Sequence, residues 1–155
     1  MYWLEHSQTL PTTLDEAWDF IKTPTNLNRI TPDDLDFEII TELPEEMTNG
    51  LLIEYRVGVP LFGKQTWISE IKHIRPRHSF VDDQRVGPYK LWYHYHEVTE
   101  APDNAGVTFL DRIAYEVPFS IFGKIAHPFL VRPTLERIFN HRTTALAQIF
   151  SKGDS

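Results

Sequence analysis

Apolar and polar residues alternate through the middle of this chain and recur at three- and four-residue spacing near its end, which predicts a run of strands closed by a helix. The clearest alternation covers residues 51–59. Leu51, Ile53, Tyr55, Val57 and Val59 share one face, Leu52, Glu54, Arg56 and Gly58 the other, and the odd-numbered face is the one to bury. Residues 64–74, 79–85, 89–100 and 107–117 read as four further strands, separated by the turn-forming groups Arg75-Pro76-Arg77, Gly87-Pro88 and Pro102-Asp103-Asn104. Residues 36–41 form a shorter strand ahead of them, and residues 2–10, which mix aromatic and polar groups up to Pro11, form the first of seven.

Helix signals flank the strands. Thr13-Leu14-Asp15-Glu16 has the form of a capping box: the threonine oxygen accepts from the Glu16 amide while the glutamate reaches back. Leu14, Ala17, Trp18 and Ile21 give that helix one apolar face, and Thr23-Pro24 ends it. Residues 26–30 predict a second short helix, closed by Thr31-Pro32 because the residue before proline disfavours helical geometry. In residues 133–150, Leu135, Ile138, Arg142, Leu146 and Ile149 fall at helical spacing, with Pro133 tolerated in the first turn. The order is that of an α+β fold, read as a single domain over residues 1–155, in which a long terminal helix buries its stripe against a curved sheet and leaves a cavity.

Fifteen Lys and Arg against twenty-two Asp and Glu leave a formal charge of −7, a field that repels phosphate backbones, so no nucleic-acid partner is expected. The absence of cysteine removes disulfides, thiolate-bound zinc and thiol catalysis and suits a reducing compartment, with the cytoplasm as the expected location. No apolar run approaches the ~18 residues of a membrane span, and the first residues lack the basic-then-apolar order of a secretory leader. Nucleophile-elbow, phosphate-loop and dinucleotide motifs are missing. Lys72, Arg75, Arg77 and His78 read as a solvated hairpin tip.

Two loops carry nearly the same phrase, Val59-Pro60-Leu61-Phe62-Gly63-Lys64 and Val117-Pro118-Phe119-Ser120-Ile121-Phe122-Gly123-Lys124, with large apolar groups where loops are usually polar. Alternate turns of an antiparallel meander emerge at one end of the sheet, so both phrases should border a single opening, together with residues 86–89. Three uses are open to Phe62, Phe122 and their neighbours: a portal for a ligand, a plug folded onto the core, or a contact for another protein. Lys64 and Lys124 read as solvated.

Inside, Val107, Phe109, Asp111, Ile113, Tyr115 and Val117 share a face that is apolar except for one carboxylate. An even-length loop centred on Asp103-Asn104 sets His96 opposite Asp111, His94 opposite Ile113 and Trp92 opposite Tyr115. A three-residue loop at Gly87-Pro88-Tyr89 would bring Phe80, Asp82 and Gln84 to the same face. A buried carboxylate needs a partner, so His96 is expected to hold Asp111, deep and away from the opening.

Tyr55, Trp67, Trp92 and Tyr115 then line an aromatic pocket in which Gln84, His94, His96 and Asp111 supply directed hydrogen bonds. Mutual structural pairing, ligand orientation and acid–base catalysis by His94, His96 or Asp111 are the roles open to this group. His94-x-His96 with Asp111 also has the composition of a two-histidine, one-carboxylate metal site, but the expected pairing spends the carboxylate, and no metal or other cofactor is expected. His73, His78, His127 and His141 have no partner at recognisable spacing. Arg142, lying in the apolar stripe, can reach into the cavity, but snorkelling to its edge is the commoner outcome for so long a side chain and is the one expected.

This order of elements resembles the SRPBCC superfamily over nearly the whole chain. The residues carrying the resemblance are Asn26-Leu27 and Ile30-Thr31-Pro32, then Phe80, Asp82, Gln84, Gly87-Pro88, Trp92, His94 and His96, then Asp111, Tyr115 and Pro118, and finally Ile138-Phe139 with Arg142. These are the helix-grip domains related to START lipid carriers, polyketide cyclases and pollen-allergen-type carriers, and the pattern is similar to a bacterial ligand-binding branch of unknown function. The resemblance implies a seven-stranded antiparallel sheet wrapped around the C-terminal helix, with two short helices between strands 1 and 2 and ligand entry between the apolar loops and the terminal helix. It implies binding or carriage of a small hydrophobic or amphipathic molecule. A cyclase or dehydratase using a cavity histidine is the enzymatic alternative, and a protein-interaction module working through the apolar loops is the third. The oxygenases of this fold take their iron ligands from helical segments, a further reason to expect no metal on these strands.

Overall fold

The computed structural model describes residues 1–59, 63–118, 123 and 125–151. Strand β1 (Tyr2–Leu10) leads into helix α1 (Leu14–Ile21), two 3-10 turns at Pro24–Arg29 and Asp33–Leu35, and a short β2 (Glu38–Ile39). Then follow β3 (Leu52–Val59), β4 (Gly63–Arg75), β5 (Ser79–Val86), β6 (Leu91–Glu100) and β7 (Val107–Glu116). A π-helical turn at His127–Val131 runs directly into the terminal helix α2 (Arg132–Ser151). Antiparallel pairing joins the strands in one curved, seven-stranded sheet of order β1-β7-β6-β5-β4-β3-β2, an α+β fold in which the first strand sits beside the last.

Helix α1 starts where the capping box requires. The Thr13 hydroxyl oxygen accepts from the Glu16 amide at 3.3 Å, and the Glu16 carboxylate accepts from the Thr13 amide at 3.1 Å. Helix α2 closes the inner face of the sheet: Leu135 and Phe139 pack with Leu4, Trp92, Ile113 and Tyr115, while Leu146 joins Leu10, Phe80, Val98 and Phe109. Burial of each such side chain stabilises the fold by roughly 1.5–3 kcal/mol, which is how the helix is held without continuous apolar sequence.

The β6–β7 hairpin has the expected register, with His96 opposite Asp111, His94 opposite Ile113 and Trp92 opposite Tyr115. Its turn takes left-handed conformations at Asp103 and Asn104, which short polar side chains tolerate, and at Gly106 (φ 109°), where an added Cβ would collide with the Leu10 carbonyl oxygen. The β5–β6 pairing sets Phe80 opposite His96 and Asp82 opposite His94, so the extension of the inner face to β5 holds for these two residues.

Three boundaries differ from the sequence expectation. Strand β2 covers two residues rather than six: Asp36 turns left-handed (φ 46°) before it, and beyond it the Thr41 hydroxyl, not a backbone carbonyl, accepts the Glu54 amide at 2.8 Å. Strand β6 begins at Leu91 because the Gln84 amide holds the Tyr89 backbone in the turn. Helical structure also extends ahead of α2 through the π turn. The residues Leu61, Phe62, Phe119, Ile121, Phe122 and Lys124 lie outside the described residues. Among the described residues no helix is long and apolar enough to cross a membrane.

Candidate functional site

Strands β5, β6 and β7 set their inward-facing polar side chains against α2. Asp111 is the hub: its Oδ1 lies 2.7 Å from His94 Nε2, 3.0 Å from His96 Nδ1 and 3.2 Å from Arg142 Nη1. The expected His96 partner is present, but His94 is closer, because a diagonal neighbour across an antiparallel pair remains within reach of a ring. Arg142 does not snorkel outward; it turns in, its guanidinium 4.9 Å from the Phe139 ring centroid and its Nε buried with no hydrogen-bond partner among the described residues. The two histidine rings lie 3.7 Å apart, and Phe80 stacks on His96 at 4.4 Å.

Two carboxyl groups in this cluster experience opposite fields. Burial opposes ionisation of Asp111, but the Arg142 charge and the hydrogen bonds from both histidines outweigh it and hold the carboxyl well below its ordinary range. Asp82, facing His94 across the β5–β6 ladder, is pushed up by burial, against weaker opposition from a Ser69 hydrogen bond and the His96 and Arg142 charges. Its Oδ1 is buried and has no hydrogen-bond partner among the described residues. His94, 4% exposed, is driven down to about 3 by burial and by the neighbouring His96, so its ring is neutral. An ionised carboxylate only accepts, so His94 donates to Asp111 through Nε2–H and keeps a bare Nδ1.

Apolar cavities adjoin the cluster on both sides. One, of about 90 Å³, is walled by Phe20, Ile53, Ile71, Phe80, Phe109 and Leu146 and reaches His96 and Asp111. The other, of about 160 Å³, is walled by Phe37, Val57, Trp67, Trp92, Leu135 and Ile138 and reaches His94. Leu27, Tyr55, Asp82 and Arg142 line both, so they form the partition.

Of the residues singled out in the sequence, Tyr55, Trp67, Trp92, His94, His96 and Asp111 meet around these cavities. Gln84 is engaged elsewhere, its Nε2 donating to the Tyr89 carbonyl at 2.7 Å and its Oε1 accepting from the Tyr89 amide at 3.3 Å. Tyr115 is buried, its hydroxyl 2.8 Å from His127 Nε2. Phe62 and Phe122 lie outside the described residues. The flanks of their loops do share one end of the sheet: Val59, Pro88, Tyr89, Val117, Pro118 and Leu130 border a common cleft.

Sequence reasoning set Arg142 at the cavity edge and missed two further groups. Arg142 belongs inside the cluster. Ser69, fully buried on β4, accepts from the Trp67 indole N–H at 3.0 Å and supports Asp82. His127, 5% exposed and stacked on Tyr2 at 3.6 Å, is a core residue; the only signal for it was its place just ahead of the terminal helix.

No family model matches the sequence, and no curated protein matches it. Solved structures do match the fold. Protein TTHA0849 from Thermus thermophilus aligns over 99% of this chain and 100% of its own at a TM-score of 0.68 and 13% identity. Protein Ms6760 from Mycobacterium smegmatis aligns over 96% of this chain and 90% of its own, with a TM-score of 0.67 and 12% identity. A nucleoside-diphosphate sugar epimerase from Corynebacterium glutamicum matches over 94% of this chain but only 28% of its own, with a TM-score of 0.66 and 19% identity. The chain is thus an α+β domain of helix-grip architecture, and at these identities the likeness is one of fold.

Proposed function

We propose that this protein is a member of the SRPBCC superfamily that binds a small hydrophobic or amphipathic molecule in the interior between sheet and terminal helix. The observation that carries the reading is the pair of buried atoms at the partition, Asp82 Oδ1 and Arg142 Nε, which have no hydrogen-bond partner among the described residues and belong to side chains that line both cavities. Buried polar atoms are satisfied in most folded proteins, so a ligand with one polar end and an apolar body fits both the walls and the unmet atoms. Each cavity is smaller than the ~300 Å³ at the low end for drug-sized ligands, so the occupant is small or spans both by displacing the Leu27 or Tyr55 side chain. Entry runs through the cleft beside Pro88 and Pro118, next to which Phe129 is 82% exposed on the π turn.

The test is native mass spectrometry of the protein purified from its own host, followed by denaturing extraction. A stoichiometric apolar adduct, lost when Leu27→Trp fills the partition, is the expected result. Recovery of two molecules differing by one water would turn the reading toward a dehydratase. A folded protein with no adduct and no saturable binding of an apolar fluorophore would overturn it.

A further inference from the structure

Donor atoms from Asp82, His94 and His96 lie within 4.8 Å of one another, a set in which Asp82 replaces the Asp111 that the sequence offered as third ligand. We infer that these three side chains form a binding site for one divalent first-row transition ion, with Asp111 as the outer group that orients both imidazoles. The inference goes beyond the carried-ligand reading: both draw on the unpartnered Asp82 Oδ1, but the donor set of Asp82, His94 and His96 stands whether or not an apolar molecule is carried.

The roles follow from which atoms are already engaged. Asp111 holds His94 by Nε2 and His96 by Nδ1, so the nitrogens left for a metal are His94 Nδ1 and, in a neutral ring, His96 Nε2. A carboxylate bonded to the far nitrogen of each ligand is the usual second layer of a histidine–metal site, because it fixes the ring and its tautomer. The third ligand, Asp82, comes from β5 on the other side of β6, directly opposite His94, and its Oδ1 is the buried oxygen without a partner among the described residues. An ion there would satisfy that oxygen.

Charge is compatible with the assignment. Arg142 is ion-paired to Asp111 at 3.2 Å, so that pair is neutral as a unit and the ion faces the formal charge of Asp82. Metal–ligand bonds of ~2.1 Å place donors ~3–3.5 Å apart, so donors within 4.8 Å of one another need to close by at most ~1.3–1.8 Å, within reach of χ rotation in three side chains. Two imidazoles and one carboxylate suit zinc, cobalt or ferrous iron more than calcium or magnesium, which favour oxygen. Three protein ligands leave a position for water or for a ligand oxygen, the pattern of reactive rather than purely structural sites.

The experiment is titration of chelator-treated full-length chain with Zn²⁺ by calorimetry and with Co²⁺ by visible absorption. One ion per chain is expected, and Asp82→Asn and His94→Gln should each weaken Zn²⁺ at least about 100-fold. Asp111→Asn, which spares the ligands and removes what orients them, should weaken it about 10–100-fold. Near-ultraviolet circular dichroism checks that each variant is folded. A readout on the unmutated chain covers the case where one is not: on Zn²⁺ addition the ring ¹⁵N resonances of His94 and His96 should move while those of His73, His78 and His141 stay. Failure of the unmutated chain to bind an ion, equal affinity in the variants, or shifts confined to the other histidines would overturn the inference.

Discussion

Arg142 and Asp111 meet across the interior with Nη1 3.2 Å from Oδ1, and this ion pair is what ties the terminal helix to the polar centre of the sheet. The two side chains are 12% and 14% exposed, so neither charge is screened as a surface charge would be.

Arg142→Met should therefore destabilise the protein by about 3 kcal/mol, chiefly by leaving Asp111 charged and buried with only its histidine partners. Urea denaturation checks the magnitude. In the double variant with Asp111→Asn the loss should fall short of the sum of the single losses, because the two groups share one interaction. A cost for Arg142→Met below ~1 kcal/mol would show that the pair is water-exposed in solution.

His127 predicts a pH dependence. Burial, with a smaller contribution from the Arg132 charge, lowers its affinity for protons below the ordinary value of 6.5, and its ring is flanked by Tyr2 and the Tyr115 hydroxyl. A histidine whose folded-state value is depressed binds protons more readily when unfolded, so its stabilisation is complete above about pH 6.5 and is lost as pH falls below it. Denaturation of the wild type and His127→Gln from about pH 8 to about pH 5 isolates this group as the difference between the two slopes. Parallel slopes would mean that the ring binds protons equally in the folded and unfolded states, as an exposed imidazole does.

Thr13→Ala removes the hydroxyl oxygen that accepts the Glu16 amide and should cost about 1 kcal/mol. Thermal unfolding is the measurement, and metal and ligand binding should be unchanged because the cap is not part of either cavity wall.

Gly106→Ala is expected to cost more than the cap. It forces a left-handed residue (φ 109°) and drives a methyl group into the Leu10 carbonyl oxygen, so either the turn or the end of β1 must shift. A loss of about 2–3 kcal/mol or failure to accumulate as folded protein is expected. Near-neutral stability would mean that the turn relaxes freely, and the β6–β7 register would then need another anchor.

Much of the fold was legible in the sequence because its signals were local. The Asp103-Asn104 turn with Gly106 fixes the β6–β7 register, and that register alone puts His96 opposite Asp111. The Thr13–Glu16 box was legible for the same reason, all its atoms lying within one helical turn. Arg142 was not, since a long cation can leave the core or enter it, and only the position of Asp111 in space decides which. His94 was assigned a neighbour, Ile113, while its hydrogen bond goes diagonally to Asp111, a choice made by ring orientation rather than by register. His127 and Ser69 became visible only when Tyr115 and Asp82 had been brought to them by the sheet.

Pairing between β1 and β7 is highly non-local and so constrains when the sheet can be completed. Tyr2 lies opposite Tyr115 and Leu10 opposite Val107, so the opening strand waits for a partner about a hundred residues downstream. The meander from β3 to β7 can assemble by short loops, and closing the longest loop comes at an entropic cost that only the finished inner face repays. During synthesis the N-terminal segment is therefore an unmated edge until β7 has emerged, and the polar centre built on β5, β6 and β7 is the part of the molecule whose scaffold can form without it.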